Sequence, residues 1–222
     1  MQTEQLKNGE FYHIYNRGID GCDLFREEAN YQQFLWLLDK YLSPVAEIYA
    51  WVLMPNHFHL LIRIKENIRY KFSGSKEFDD PVKFEEHKWE TVEFFEGEHQ
   101  VDQKIPLPHL HISHLMNAYS KYFNKRYERH GALFERAFKR KQILFDKYLK
   151  HVILYIHNNP VHHGFCSHPV EYPWSSYLTC VSIKPTKIKR DAVLGWFDSE
   201  ANFKVLHNEK IDLERIERIL DV

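Results

Sequence analysis

The chain has 222 residues, 44% hydrophobic and 15% aromatic, with a formal net charge of -1 at pH 7. Such a composition excludes a disordered chain and suffices for one sizeable domain with additions, or two small ones. The balanced total charge does not announce a nucleic-acid binder, but it hides a local asymmetry. Residues 67–104 carry ten acidic against six basic side chains, whereas residues 117–150 carry ten basic against three acidic. That separation predicts a basic working surface beside an acidic insertion. No apolar run approaches the roughly 20 residues of a membrane helix. Met1-Gln2-Thr3-Glu4-Gln5-Leu6-Lys7 lacks the apolar centre of a signal peptide. Cys22, Cys166 and Cys180 are odd in number and form no C-x-x-C pair. The expected compartment is a reducing cytosol, with no membrane partner.

In chain order, Phe11 to Asn16 reads as a first strand, ended by Arg17-Gly18. Apolar residues at Tyr31, Phe34, Leu35, Leu37, Leu38, Tyr41 and Leu42 give helical spacing from Glu27 to Leu42. Ile48 to Met54 is a continuous apolar run, as in a central strand. Pro55-Asn56 turns the chain and His57 to Ile64 returns as a hairpin partner. Residues 66–105 have no clean period and read as an insertion, with a short strand at Thr91 to Phe95 and partial disorder elsewhere. Leu110 to Tyr127 is a helix with one apolar and one basic side. Arg136 to Leu144 alternates as a strand with basic polar positions. Asp146 is the expected N-cap of a helix running through Asn158 and closed by Pro160. Beyond Gly164 the pieces are shorter, and residues 190–222 predict two small helices, the second the amphipathic Leu213 to Leu220. The order strand, helix, strand, strand, helix, strand, helix predicts an α+β, ferredoxin-like antiparallel sheet with helices on one face.

Chemistry concentrates in two stretches. Met54-Pro55-Asn56-His57-Phe58-His59-Leu60 sets two histidines two residues apart on an apolar strand. Alternation then points His57 and His59 to one face, where two imidazoles can grip one metal ion. A hundred residues on, Tyr148, Val152, Tyr155 and Asn159 share one helical stripe. Asn159 can lend its amide oxygen to a metal, and the Tyr155 phenol hangs one turn before it. A tyrosine is a weak nucleophile at neutral pH, with a pKa of ~10. It suits a phosphodiester when a divalent cation withdraws charge from the phosphate. Taken alone, Tyr155 reads first as a core residue, and Asn159 as a helix cap before a proline.

His57-Phe58-His59, the stretch Tyr155-Ile156-His157-Asn158-Asn159-Pro160-Val161-His162-His163-Gly164, and the early Tyr12-His13-Ile14-Tyr15-Asn16-Arg17-Gly18 together resemble the single-tyrosine HUH transposases of the insertion-sequence-200 type. They resemble in particular the REP-associated tyrosine transposases of bacteria. Ser120 to Arg126 and Gly131 to Lys139 look like that family's central block. The likeness runs from about residue 11 to about residue 180. It implies a catalytic domain over 1–165, interrupted by the acidic insertion, and a helical extension over 166–222. It implies an enzyme that cuts and rejoins single-stranded or hairpin DNA at imperfect palindromes. His57, His59 and Asn159 would bind Mg²⁺ or Mn²⁺, with His162 or His163 competing for the third place. Tyr155 would form a 5′-phosphotyrosine and leave a free 3′-hydroxyl. The insertion departs from shorter members of the family. The resemblance leaves homodimer and monomer both open.

The expected DNA surface is the basic set of Arg17, Lys121, Lys125, Arg126, Arg129, Arg136, Lys139 and Arg140, with Tyr119, Tyr122 and Tyr127 among them, some as stacking rings and some turned to the core, which the sequence does not sort. The bland alternative is a solvated helix face. A different class of function also fits the fold: a DNA-binding protein that has lost the chemistry. A third, weaker one is a metal hydrolase with no covalent step.

Overall fold

The computed structural model describes residues 5–72, 89–93, 105–135, 137–209, 216 and 218. Four strands form the main sheet: β1 (Phe11–Arg17), β2 (Ala46–Met54), β3 (His57–Ile64) and β6 (Lys139–Ile143), in the order β2-β3-β1-β6. Every neighbouring pair is antiparallel, so β1 and β2 run parallel with β3 between them. This is the split βαβ arrangement of a ferredoxin-like fold.

Strand alternation divides the sheet into two faces. Tyr12 and Ile14 of β1 and Phe58, Leu60, Ile62 and Ile64 of β3 point one way. There they pack on α1 (Glu28–Leu42) and α2 (Pro108–Arg126) through Phe34, Leu38, Leu115, Tyr119 and Phe123, which are all buried. Asn30 starts α1 by accepting from the backbone N–H groups of Arg26 and Glu27, at 2.9 and 3.3 Å. Pro108 opens α2, where its missing N–H costs nothing. The alternate residues, His13 and Tyr15 of β1 and His57, His59 and Leu61 of β3, point the other way. That face receives α3 (Leu149–His162) through Val152, Ile153, Tyr155 and Ile156. The α+β class holds, but the helices cover both faces of the sheet. An alternating strand such as β1 cannot bury both its sides under one layer.

Beyond α3 lie α4 (Tyr177–Cys180), α5 (Arg190–Trp196) and α6 (Glu200–Asn208). Leading into them, the chain runs along the outer edge of β2. Leu53 N–H donates to the Trp174 carbonyl and Ser176 N–H to the Trp51 carbonyl, each at 2.9 Å. An edge strand is thereby covered instead of left open. The three cysteines are free.

Some predicted boundaries move. The helix predicted to close at Pro160 runs through it to His162. The proline sits in the last turn, where one lost hydrogen bond is tolerable, and its carbonyl accepts from Phe165 N–H at 2.9 Å. Asp146 is not the cap. It begins a 3₁₀ turn, Asp146–Tyr148, that leads into α3, and no side chain caps that turn. The insertion strand lies at Trp89–Glu93 (β5), paired with Ile68–Phe72 (β4). The rest of the insertion, residues 73–88 and 94–104, falls outside the described residues, as does Arg136. Of the terminal helix predicted over Leu213 to Leu220, only Ile216 and Arg218 are described. Ile216 is buried in the core beneath α3 and the extension.

Candidate active site

The end of β1, the β2–β3 turn, α3 and the chain after α2 meet at a cleft of about 460 Å³. Its walls include Tyr15, Arg17, His57, His59, Glu135, Lys139, Tyr155 and His163. Gly18 lets the parts close in. Its N–H donates to the Asn56 carbonyl at 2.8 Å, and a Cβ there would lie 2.0 Å from the Cys22 carbonyl oxygen. No larger residue leaves room for this approach.

His57 and His59 share one sheet face, as their spacing requires, with ring centroids 5.2 Å apart. Each is steered by a neighbour. His57 Nδ1 meets Asn56 Oδ1 at 2.7 Å, and His59 Nδ1 meets His13 Nε2 at 2.9 Å. The Tyr155 ring stands edge-on to His59 at 5.4 Å and to His13 at 5.9 Å. One turn later, Asn159 Oδ1 lies 3.0 Å from His57 Nε2. All four residues predicted for the chemistry are therefore gathered in one place. Of the two competing histidines, His163 lies beside His57, with centroids 5.3 Å apart, while His162 does not line the cleft.

Burial sets the protonation of this group. Desolvation lowers the His57 pKa from 6.5 to about 4 and that of His13 to about 3, and takes His59 well below the usual value. Neutral imidazole is the form that ligates metals. A neutral imidazole has one N–H, yet both ring nitrogens of His57 face amide oxygens. One of those contacts sets lone pair against lone pair. A cation between His57 and Asn159 relieves it, as does turning one amide over. Among the described residues no group of three or more His, Cys, Asp or Glu side chains is built to hold an ion. The two imidazoles and the Asn159 amide are the donors at hand, and they would suit Mg²⁺ or Mn²⁺ with positions left for phosphate.

Sequence reasoning gave His13 no role, although its parity with Tyr15 in β1 puts it on the histidine face. It also passed over Glu135, which pairs with Arg17 at 3.4 Å beside the cleft. The predicted basic set divides. Arg17 and Lys139 line the cleft, with Lys139 Nζ 5.7 Å from the Tyr15 ring centroid. Lys121 and Arg140 line a second cleft of about 640 Å³, between α2 and the 131–140 segment. Arg126 is instead tied to Glu27, and Arg129 lies over the Phe123 ring at 5.7 Å. Lys125 is exposed on α2. The three tyrosines expected among these charges serve the protein interior. Tyr119 is fully buried and donates to the Leu24 carbonyl at 2.5 Å. The Tyr127 hydroxyl is held by Glu27 and Asn30, and the half-buried Tyr122 packs on Tyr119.

No helix among the described residues is long and apolar enough to cross a membrane. No family model matches the chain, and no curated protein sequence does. Among solved structures, the fold is similar to that of a REP-associated tyrosine transposase bound to a REP hairpin. The match covers 83% of this chain and 88% of that one, with a TM-score of 0.53 and 18% identity. The α+β fold implied by the His57-Phe58-His59 and Tyr155 motifs is thus the fold that the chain adopts.

Proposed function

We propose that the protein is a metal-dependent single-stranded DNA endonuclease and strand transferase that acts on hairpin-forming DNA through a 5′-phosphotyrosine on Tyr155. One observation carries this reading: the Tyr155 ring stands against His59 while Asn159, one turn on, reaches His57, all beside one cleft. The likeness to a transposase solved with a REP hairpin supports DNA as the substrate.

His57, His59 and Asn159 would hold Mg²⁺ or Mn²⁺, which when bound polarises the scissile phosphate and neutralises its growing charge. The protein's own residues supply the rest. His13 and Asn56 hold the two imidazoles in orientation. Arg17 and Lys139 draw the phosphate backbone into the cleft. The Tyr155 oxygen attacks phosphorus and the phenol loses its proton. The bond to the 3′ oxygen breaks, and that oxygen leaves as a hydroxyl once protonated. The phosphotyrosine keeps the bond energy, so a second 3′-hydroxyl can attack it and release Tyr155 with no nucleotide cofactor. Free cysteines suit work in a reducing cytosol.

The test is to incubate the protein with short single-stranded and hairpin oligonucleotides, with Mn²⁺ or with chelator, and to look for a covalent complex that survives denaturant. A complex that requires Mn²⁺ supports the transferase. Metal-dependent cutting with no adduct would favour a hydrolase. Tight binding with neither would favour a DNA-binding protein without chemistry.

A further inference from the structure

On its far side α3 carries a second polar group, which the proposed chemistry does not use. His157 is fully buried and both its ring nitrogens are engaged: Nδ1 meets His207 Nε2 at 2.9 Å, and Nε2 meets Ser176 Oγ at 2.7 Å. His207 Nδ1 donates to the Phe203 carbonyl at 2.7 Å. Ser176 Oγ accepts from Trp51 N–H at 2.9 Å. Burial keeps both rings neutral, with His157 well below the usual pKa and His207 at about 4. The ends then fix every proton between them. A carbonyl only accepts, so His207 carries its proton on Nδ1 and offers a lone pair at Nε2. His157 Nδ1 must donate to that lone pair, and His157 Nε2 must accept from the Ser176 hydroxyl. Each donor has one acceptor and the direction cannot reverse. Phe203 and Tyr177 close over the two rings.

This chain of bonds spans three parts of the fold: α6, α3 and the edge of β2. Ser176 grips Trp51 twice, by its hydroxyl and by its backbone N–H. β2 in turn pairs with β3, with Val52 opposite His59 and Met54 opposite His57. On α3, His157 lies two residues from Tyr155 and two from Asn159. Two residues are about 200° of helix rotation, so His157 faces away from the cleft while its neighbours face into it.

We propose that His157 and His207 are positioning residues. The relay from α6 to β2 locks α3 at the rotation that holds Tyr155 and Asn159 against the histidines of β3. The extension thereby sets the geometry of the cleft without touching it. This rests on the reading of Tyr155 as nucleophile given above. An apolar filler can supply the same bulk but no directional restraint. A side-chain tip lies about 5–6 Å from a helix axis. A turn of α3 by about 10° therefore moves the phenol by about 1 Å, a displacement that can cost on the order of 100-fold in rate.

The full-length chain provides the test, with His207→Leu, His207→Gln and Ser176→Ala. Four quantities are measured: single-turnover adduct formation at saturating oligonucleotide and Mn²⁺, oligonucleotide Kd, Mn²⁺ affinity and thermal midpoint. His207→Leu should slow adduct formation by ten- to 100-fold, on the order set by a 1 Å misplacement, with Kd near that of the parent. His207→Gln, whose amide can accept from His157 and donate to Phe203 at once, should recover most of the rate. Ser176→Ala should slow it too, and serves if His207→Leu does not fold. Parental rate in both His207→Leu and Ser176→Ala overturns the proposal. So does a loss that glutamine does not rescue, or one that only follows DNA affinity. If the parent forms no adduct, the reading of the cleft has failed, and hydrogen exchange at Tyr155 to Asn159 decides separately. Faster exchange in His207→Leu but not in His207→Gln upholds the lock, and unchanged exchange rejects it.

Discussion

Two groups of histidines flank α3, and they differ in how completely their hydrogen bonds close. On the inner side, His57 is opposed by oxygens at both ring nitrogens, and His13 Nδ1 has no partner among the described residues. On the outer side, His157 and His207 pass one set of protons from Trp51 to the Phe203 carbonyl with nothing left over. Desolvation holds both groups neutral, with His57 half-buried and His13, His59, His157 and His207 buried. Burial and low pKa alone therefore do not mark a working histidine. What differs is the open bonding of the inner group: unless the amide of Asn56 or Asn159 is turned over, one lone pair of His57 has no donor and no cation to meet.

The largest effect should come from removing the mismatched pair. Replacing both His57 and His59 by Ala should reduce adduct formation by more than about 10³-fold, since the phosphate charge is then left unneutralised. Oligonucleotide affinity in chelator should hardly change. Adduct formation at the parental rate would show that the inner histidines are as structural as the outer ones. A second, smaller loss is expected at His13. If His59 is to turn a bare nitrogen toward the cleft, its Nδ1 must donate to His13. His13→Leu removes that acceptor and should weaken Mn²⁺ binding by about 10- to 100-fold, the usual cost of losing an orienting partner. Calorimetric titration with Mn²⁺ would measure it.

The outer group should show itself in stability against pH. His207 titrates at about 4 in the folded chain against 6.5 when unfolded. Between those values the unfolded state takes up a proton that the folded state refuses. The stability that His207 allows is complete above the unfolded pKa and is lost as pH falls toward the folded one. His207→Gln should flatten the slope by about one proton in denaturant melts across that window. The smallest effect concerns the basic residues. Lys121→Ala and Arg140→Ala should each lower the salt slope of single-strand binding by about 0.7. Arg126→Ala should leave it unchanged, because Arg126 is paired with Glu27. Equal slopes for all three would mean that the second cleft does not carry DNA.

Much of this was legible in the sequence because it depends on local periodicity. A spacing of two put His57 and His59 on one face of β3, and a spacing of four put Tyr155 and Asn159 on one side of α3. The partners of those residues were not legible. His13 reaches His59 only because β1 pairs with β3 in a register that sets Tyr15 opposite His59. His157 meets His207 across 50 residues. Neither contact leaves a periodic signal. The tyrosines on α2 and at its end could not be sorted from sequence for a related reason. Tyr119, Tyr122 and Tyr127 lie among basic residues in the sequence, but the helix turns them toward α1 while the charges face out. Pro160 misled because a proline stops a helix only where bonds remain to be broken, and the last turn has few.

The central claim is that the Tyr155 oxygen becomes joined to the 5′ phosphate at a cut in DNA. It is tested most directly with oligonucleotides labelled on one side of the cut or the other, Mn²⁺, and the parent beside Tyr155→Phe, resolved after denaturation. The account predicts that the label 3′ of the cut stays on the parent protein. The other label should leave on a fragment ending in a 3′-hydroxyl, and Tyr155→Phe should bind the strand but retain neither label. Retention of label by Tyr155→Phe, or retention of the fragment 5′ of the cut by the parent, would contradict it.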